Sequence, residues 1–270
     1  MSETTQERWA KIQAVHDRLA AMSLRNRIRL IWITLIALWI VVWFRHPDSS
    51  GGKWELLSAF LVTAVGIVLA NVLAWRSLRQ FRKALSIEDI PSAQREHANL
   101  TDFWRRRGRE TIKSYGINIL LLEERYEDAL NDLQTLDAKK LGKKGAPVIE
   151  NQIAWCYARL GEPAKAMDIS QSVLPQLELM GPDYFSSAHL VLGVANFLLS
   201  RPSEAVLHLE KVYATSADAS SRKATAAFYV GEAFSALGKP VDARKAYQNA
   251  YEALPNGRFG QRAFERLNEL

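Results

Sequence analysis

Five histidines and one cysteine are the residues of this chain best suited to acid–base, nucleophilic or metal chemistry, and their spacing gives them little to work with. His16, His46, His97, His189 and His208 are scattered, and none has a second His, Cys, Asp or Glu at the spacing of a metal site. His189 reads as an ordinary polar neighbour on the inner side of a helix. Cys156, between Trp155 and Tyr157, reads as a small buried hydrophobe rather than a nucleophile, and as the single cysteine it forms no internal disulfide. Glycine-rich nucleotide loops, serine elbows and paired-carboxylate motifs are absent from the sequence. The expectation is therefore binding: no enzyme, no cofactor and no metal.

Basic clusters are the next candidates. Arg105, Arg106, Arg107 and Arg109, with Trp104 beside them as a stacking ring, would neutralise phosphates, but they would serve anionic lipid equally well and no base-reading motif accompanies them. Lipid contact or solvation is the expectation there, not nucleic acid. Lys139, Lys140, Lys143 and Lys144 surround Gly142 and Gly145 without the spacing of a phosphate-binding loop, so they read as a solvated turn.

The elements that must position any binding surface begin with two apolar runs, Leu30 to Phe44 and Leu56 to Trp75, joined by a short loop of turn-forming residues. The second run has no charged residue, and at about 1.5 Å per residue it is long enough to cross a hydrocarbon core of roughly 30 Å. Ile28 lengthens the first, Arg29 can snorkel, and Trp32, Trp39 and Trp43 are rings of the interfacial type. A transmembrane hairpin is expected, with spans at about 28–44 and 55–75. Gly66, Ala70 and Ala74 form a small-residue stripe on which Leu35, Leu38 or Val42 would pack. Basic residues lie before the first span and follow the second as Arg76, Arg79, Arg82 and Lys83, so both termini are expected in the cytoplasm of an integral membrane protein, bacterial inner membrane being the compatible setting. Much of the net charge of +6 then faces anionic headgroups. Ahead of the hairpin, Thr4 with Glu7 and the apolar positions Trp9, Ile12, Val15, Leu19 and Met22 predict an amphipathic helix.

The remainder of the chain repeats itself. Four turns each precede a small-residue helix start, and their alanines, Ala129, Ala166, Ala205 and Ala243, are spaced by 37, 39 and 38 residues. Pro163, Pro202 and Pro240 fall near the first helical turn, where a missing N–H costs nothing. Each unit reads as a helix hairpin whose alanine lets the two helices approach closely.

These residues resemble the tetratricopeptide repeat. Twelve residues before the turn alanine the pattern has a small residue, here Ala154, Gly193 and Gly231, and three later an aromatic, here Tyr157 and Phe234 but Asn196 in the third unit. The last unit adds Tyr247, Ala250 and Pro255, while the first departs with Ile117 and Leu120. The resemblance implies an α-solenoid whose inner face holds Asn151, Trp155, Arg159, Leu190, Val194, Phe197, Phe228 and Glu232, a largely apolar groove for a helix or extended segment of a partner protein. The chain is thus read as all-α: an amphipathic helix over 1–27, the hairpin over 28–75, a basic connector over 76–110, four helix hairpins over 111–255 and a capping helix over 256–270. Two functions fit: a membrane-anchored scaffold or adaptor for a protein or peptide partner, and an assembly or maturation factor for an envelope complex. Contact of the basic connector with lipid or nucleic acid is a third reading.

Overall fold

The computed structural model describes residues 24–45, 52–104, 109–143 and 145–270. The expected helix over 1–27 therefore lies largely outside the described residues, as do the loop between the apolar runs and Arg105, Arg106 and Arg107. Among the described residues there are twelve α-helices, one short 3-10 helix and no strand. They are α1 (Leu24–Arg45), α2 (Gly52–Ser86), α3 (Ile90–Trp104), α4 (Arg109–Leu122), α5 (Tyr126–Gln134), α6 (Gly145–Arg159), α7 (Pro163–Met180), α8 (Pro182–Leu198), α9 (Pro202–Thr215), α10 (Ser221–Ala236), α11 (Pro240–Ala253) and α12 (Arg258–Glu269). The chain divides into two compact units, one comprising residues 1–80 and 95–107, the other 81–94 and 108–270.

In the first unit, both apolar runs are helical. One stretch among the described residues, Leu61–Ser86, is long and apolar enough to cross a membrane, and the apolar part of α1 is the shorter segment Ile28–Ala37. Among their described side chains Ile33, Leu61, Val68, Val72 and Trp75 are each about 60 per cent exposed or more, while Ala74 and Leu78 of α2 are buried. At Gly66 α1 comes close, since a Cβ there would stand 2.8 Å from the Trp32 ring. The small-residue stripe thus meets a tryptophan. Two polar side chains on these helices bond to their own helix, Thr34 donating to the Leu30 carbonyl at 2.9 Å and Asn71 to that of Ile67 at 2.8 Å. Nearer the end of α2, Ser77 donates to the buried carboxylate of Glu96 at 2.5 Å, and the Asn99 amide donates to the same oxygen.

The second unit is a stack of helix hairpins built around one turn used five times. At each turn a residue takes a left-handed backbone: Glu88 (φ 58°), Glu124 (58°), Gly161 (86°), Ser200 (59°) and Gly238 (68°). The next amide then reaches back five residues, Asp89 to Ala84, Arg125 to Leu120, Glu162 to Tyr157, Arg201 to Asn196 and Lys239 to Phe234, all at 2.9–3.0 Å. That bond satisfies carbonyls a helix end leaves unpaired. Five residues after each left-handed position stands an alanine with no exposed surface: Ala93, Ala129, Ala166, Ala205 and Ala243. The sequence pattern reveals four of these turns. The fifth, at Glu88, lies in the expected break Ser86 to Pro91, and α3 starts at Ile90 instead of at Ser92 or Asp102.

Close approach inside the hairpins needs residues without side chains. A Cβ on Gly193 would lie 2.5 Å from Leu209, and one on Gly231 would lie 2.6 Å from the Tyr247 ring. First helices pack on first helices, α6 on α8, α8 on α10 and α10 on α12, so they share the inner side of the stack. Its core is largest around Phe228, Tyr229, Tyr247 and Phe259.

Replacing Gly231 with Ala should lower stability by about 1–3 kcal/mol, because overpacking against the buried Tyr247 ring outweighs the roughly 0.5–1 kcal/mol that alanine gains in a helix. Urea denaturation of the full chain in mild detergent measures it.

Candidate functional site

Inner-face residues from α6, α8 and α10 converge on the N-terminal turn of α12. Arg159, at the end of α6, donates from Nε to the Tyr126 hydroxyl at 3.2 Å, and from Nη1 to the Tyr229 hydroxyl. Its Nη2 lies 3.3 Å from Glu124 Oε1, and its guanidinium stands over the rings of Tyr126 and Trp155, 5.3 and 5.9 Å from their centres. Phe197 meets Tyr229 edge-on at 5.7 Å. Burial raises both tyrosines above their ordinary range, so both stay neutral acceptors for the arginine.

Glu124 Oε1 is the centre of the charge arrangement. Besides Arg159 it is 2.9 Å from Arg258 Nη1 and 3.5 Å from Arg262 Nη2, so one carboxylate oxygen faces three guanidinium groups. Glu88, on the turn 36 residues earlier, accepts from the Ser221 hydroxyl at 2.5 Å and from the Arg258 backbone N–H at 2.7 Å. It thereby ties the starts of α10 and α12 together, the second bond being the kind of carboxylate contact a helix N-terminus favours. Glu232 on α10 accepts from Tyr247 Oη at 2.7 Å and from Arg266 Nε at 2.9 Å. Between these ion pairs Phe259 is buried against Phe228 and Tyr229, with ring centres 5.3 and 5.6 Å away.

Of the eight groove residues expected from the sequence, Trp155, Arg159, Leu190, Phe197 and Glu232 are partly exposed, whereas Asn151, Val194 and Phe228 are buried. Asn151 donates to Ser187 at 3.0 Å and accepts from Ser170 at 3.3 Å, which makes it a bond between hairpins. Val194 and Phe228 lie in the largest core. Glu88, Glu124, Tyr126, Tyr229 and the arginines of α12 complete the face. The signal for Glu88 was Ala93, one repeat length before Ala129; for α12 it was arginine at every fourth position, 258, 262 and 266. Arg76, Arg79, Arg82 and Lys83 are exposed on α2, and Arg109 begins α4.

Residues expected to be chemically idle sit as follows. Cys156 is buried, and burial pushes its thiol up to about 12, so it stays protonated at neutral pH. His189 and His208, nineteen positions apart, face each other Nδ1 to Nδ1 at 2.8 Å across α8 and α9. Among the described residues no group of three or more His, Cys, Asp or Glu is arranged to hold a metal.

No known protein-family model matches the chain, and no curated protein does. Among solved structures it is similar to PlcR of Bacillus thuringiensis, crystallised in complex with the peptide PapR7 and DNA, at 17% identity over 92% of this chain and 96% of that one, with a TM-score of 0.55. The likeness is one of fold: all-helical, with solenoid-like packing of helix pairs.

Two outcomes follow. Arg159→Ala should cost about 1–3 kcal/mol in urea denaturation, and Arg159→Lys should recover only a minor part, because one ammonium cannot reach both tyrosine hydroxyls and Glu124. Stability should also fall on acidification. His189 is lowered to about 4, first by burial, then by His208 and Lys211, with Glu178 of α7 3.9 Å from its Nε2. The unfolded chain then binds the extra proton, so stability is complete above about pH 6.5 and is lost as pH falls towards 4, a slope that His189→Leu should reduce.

Proposed function

We propose that this protein is a membrane-anchored scaffold or adaptor, bound to the bilayer through α1 and α2, that engages a protein or peptide partner at the cytoplasmic face and catalyses no reaction. The observation that carries the reading is the contrast between the chain's two units. In one, long apolar side chains on α1 and α2, among them Ile33, Leu61, Val68 and Trp75, face outward, and the polar Thr34 and Asn71 are bonded to carbonyls of their own helix. Such a surface suits lipid, where backbone and hydroxyl groups must find partners internally. In the other, apolar residues are enclosed in a stack whose inner face presents aromatic rings and paired charges, the mixture from which hot spots are made.

A cytoplasmic orientation is supported by Arg76, Arg79, Arg82 and Lys83, exposed at the end of the apolar stretch, since basic flanks favour the cytoplasmic side. Anchoring concentrates the stack near a membrane process and strengthens weak contacts without new ones. That PlcR was crystallised with a peptide supports a peptide or protein partner here. The same structure contains DNA, and a nucleic-acid reading of Arg105 to Arg109 would show itself as binding that weakens steeply with salt.

Carbonate washing of membranes tests the anchor: the protein should stay in the pellet, and its release to the supernatant would count against integral insertion. Partner capture from detergent extracts should be lost with Phe197→Ala, a half-buried ring, while the melting transition stays cooperative. A partner retained by that variant would place the binding surface elsewhere.

A further inference from the structure

The last helix carries two stripes, each repeating every four residues: Arg258, Arg262 and Arg266, and beside them Phe259, Ala263 and Leu267. The apolar stripe enters the largest core, Phe259 and Ala263 fully and Leu267 in part. The arginine stripe meets carboxylates on three separate elements. Arg258 pairs with Glu88 and Glu124, Arg262 with Glu124, and Arg266 with Glu232. A helix that only covers the end of a stack needs an apolar stripe inward and polar residues outward, not charges matched to the stack itself. Here the inner face supplies a row of acids in register with a basic helix, and this charge match identifies what the face is shaped to hold.

We propose that the inner face is a docking track for a basic amphipathic helix, that α12 occupies it in cis, and that a partner helix opening with an arginine–aromatic turn displaces α12. The proposal rests on the partner-binding reading above and names the chemistry of that partner. Displacement is feasible because α12 leaves the stack through the non-helical link 254–257 and its ion pairs are only partly buried, the arginine side chains being 20 to 47 per cent exposed. Solvent therefore weakens each pair, and the contact a competing helix must replace is the burial of Phe259 and Ala263. Gly260 fixes the seat, since a Cβ there would lie 1.9 Å from the Leu254 carbonyl oxygen.

The test uses the full chain in detergent and a fluorescein-labelled synthetic peptide with the sequence of residues 256–270. Loosening the cis helix with Arg258→Ala and Phe259→Ala together should let the peptide bind at least about tenfold more tightly than to the unaltered chain. Adding Glu124→Gln to that variant should remove at least about tenfold. No binding to the loosened variant, with its melting transition still cooperative, would overturn the proposal. Hydrogen exchange on the unaltered protein gives a second readout that needs no variant: α12 amides should exchange faster than those of α8. Exchange of both only in a common unfolding event would make α12 a fixed cap and overturn it. Dimers formed by trading α12 between copies, seen by native mass spectrometry, would replace the partner with a second copy and overturn it too. Failure of partner capture beside success of the peptide would fault the partner reading and leave the track intact.

Discussion

A helix hairpin cannot bury its own apolar faces, and this constraint organises the second unit. Each hairpin must lie against the next, and the approach is set by an alanine without exposed surface five residues after a left-handed turn, repeated from Ala129 to Ala243. Because the first helices sit side by side on the inner face, the stack curves, and residues far apart in sequence come together there. The end left open after α11 needs a cover, which α12 provides. The curvature brings that cover back to the first turns of the stack, so Arg258 reaches Glu88 and Glu124, 170 and 134 residues away in the chain.

Closing the stack this way mixes two kinds of stabilisation. Phe259 contributes burial between Phe228 and Tyr229, which no salt or pH change removes. The surrounding arginines contribute charge-assisted bonds to three carboxylates, which are directional and set the register of α12 but are open to solvent. Arg159 belongs to both, stacked over Tyr126 and Trp155 while bonded to two phenols and Glu124. The inner face is therefore more polar than a groove lined by Trp155, Phe197 and Phe228 alone would be.

What could be read in the sequence was whatever is encoded locally. The turn alanines, the prolines of the first helical turn and the glycines at Gly193 and Gly231 repeat at near-constant spacing, and each has a packing reason in the fold. The Glu88 hairpin escaped because Pro91 stands one place later after its turn than Pro163, Pro202 and Pro240 do after theirs. The carboxylate cluster was invisible for a different reason. Glu124 and Arg258 are indistinguishable from solvated charges until curvature places them 2.9 Å apart. The same holds for His189 and His208, whose contact depends on the facing of α8 and α9. Phe228 shows the converse: a position expected on the groove surface lies beneath Phe259, since the covering helix extends over it.

The closed inner face depends on the α4–α5 turn and the last helix being energetically joined. A double-mutant cycle on Glu124→Gln and Arg258→Met, read as urea stability of the full chain in detergent, measures that link directly. A coupling of about 1 kcal/mol or more is expected for a partly buried carboxylate–guanidinium pair. Additivity of the two substitutions to within about 0.5 kcal/mol would show that α12 does not close on the start of the stack, and would contradict the account.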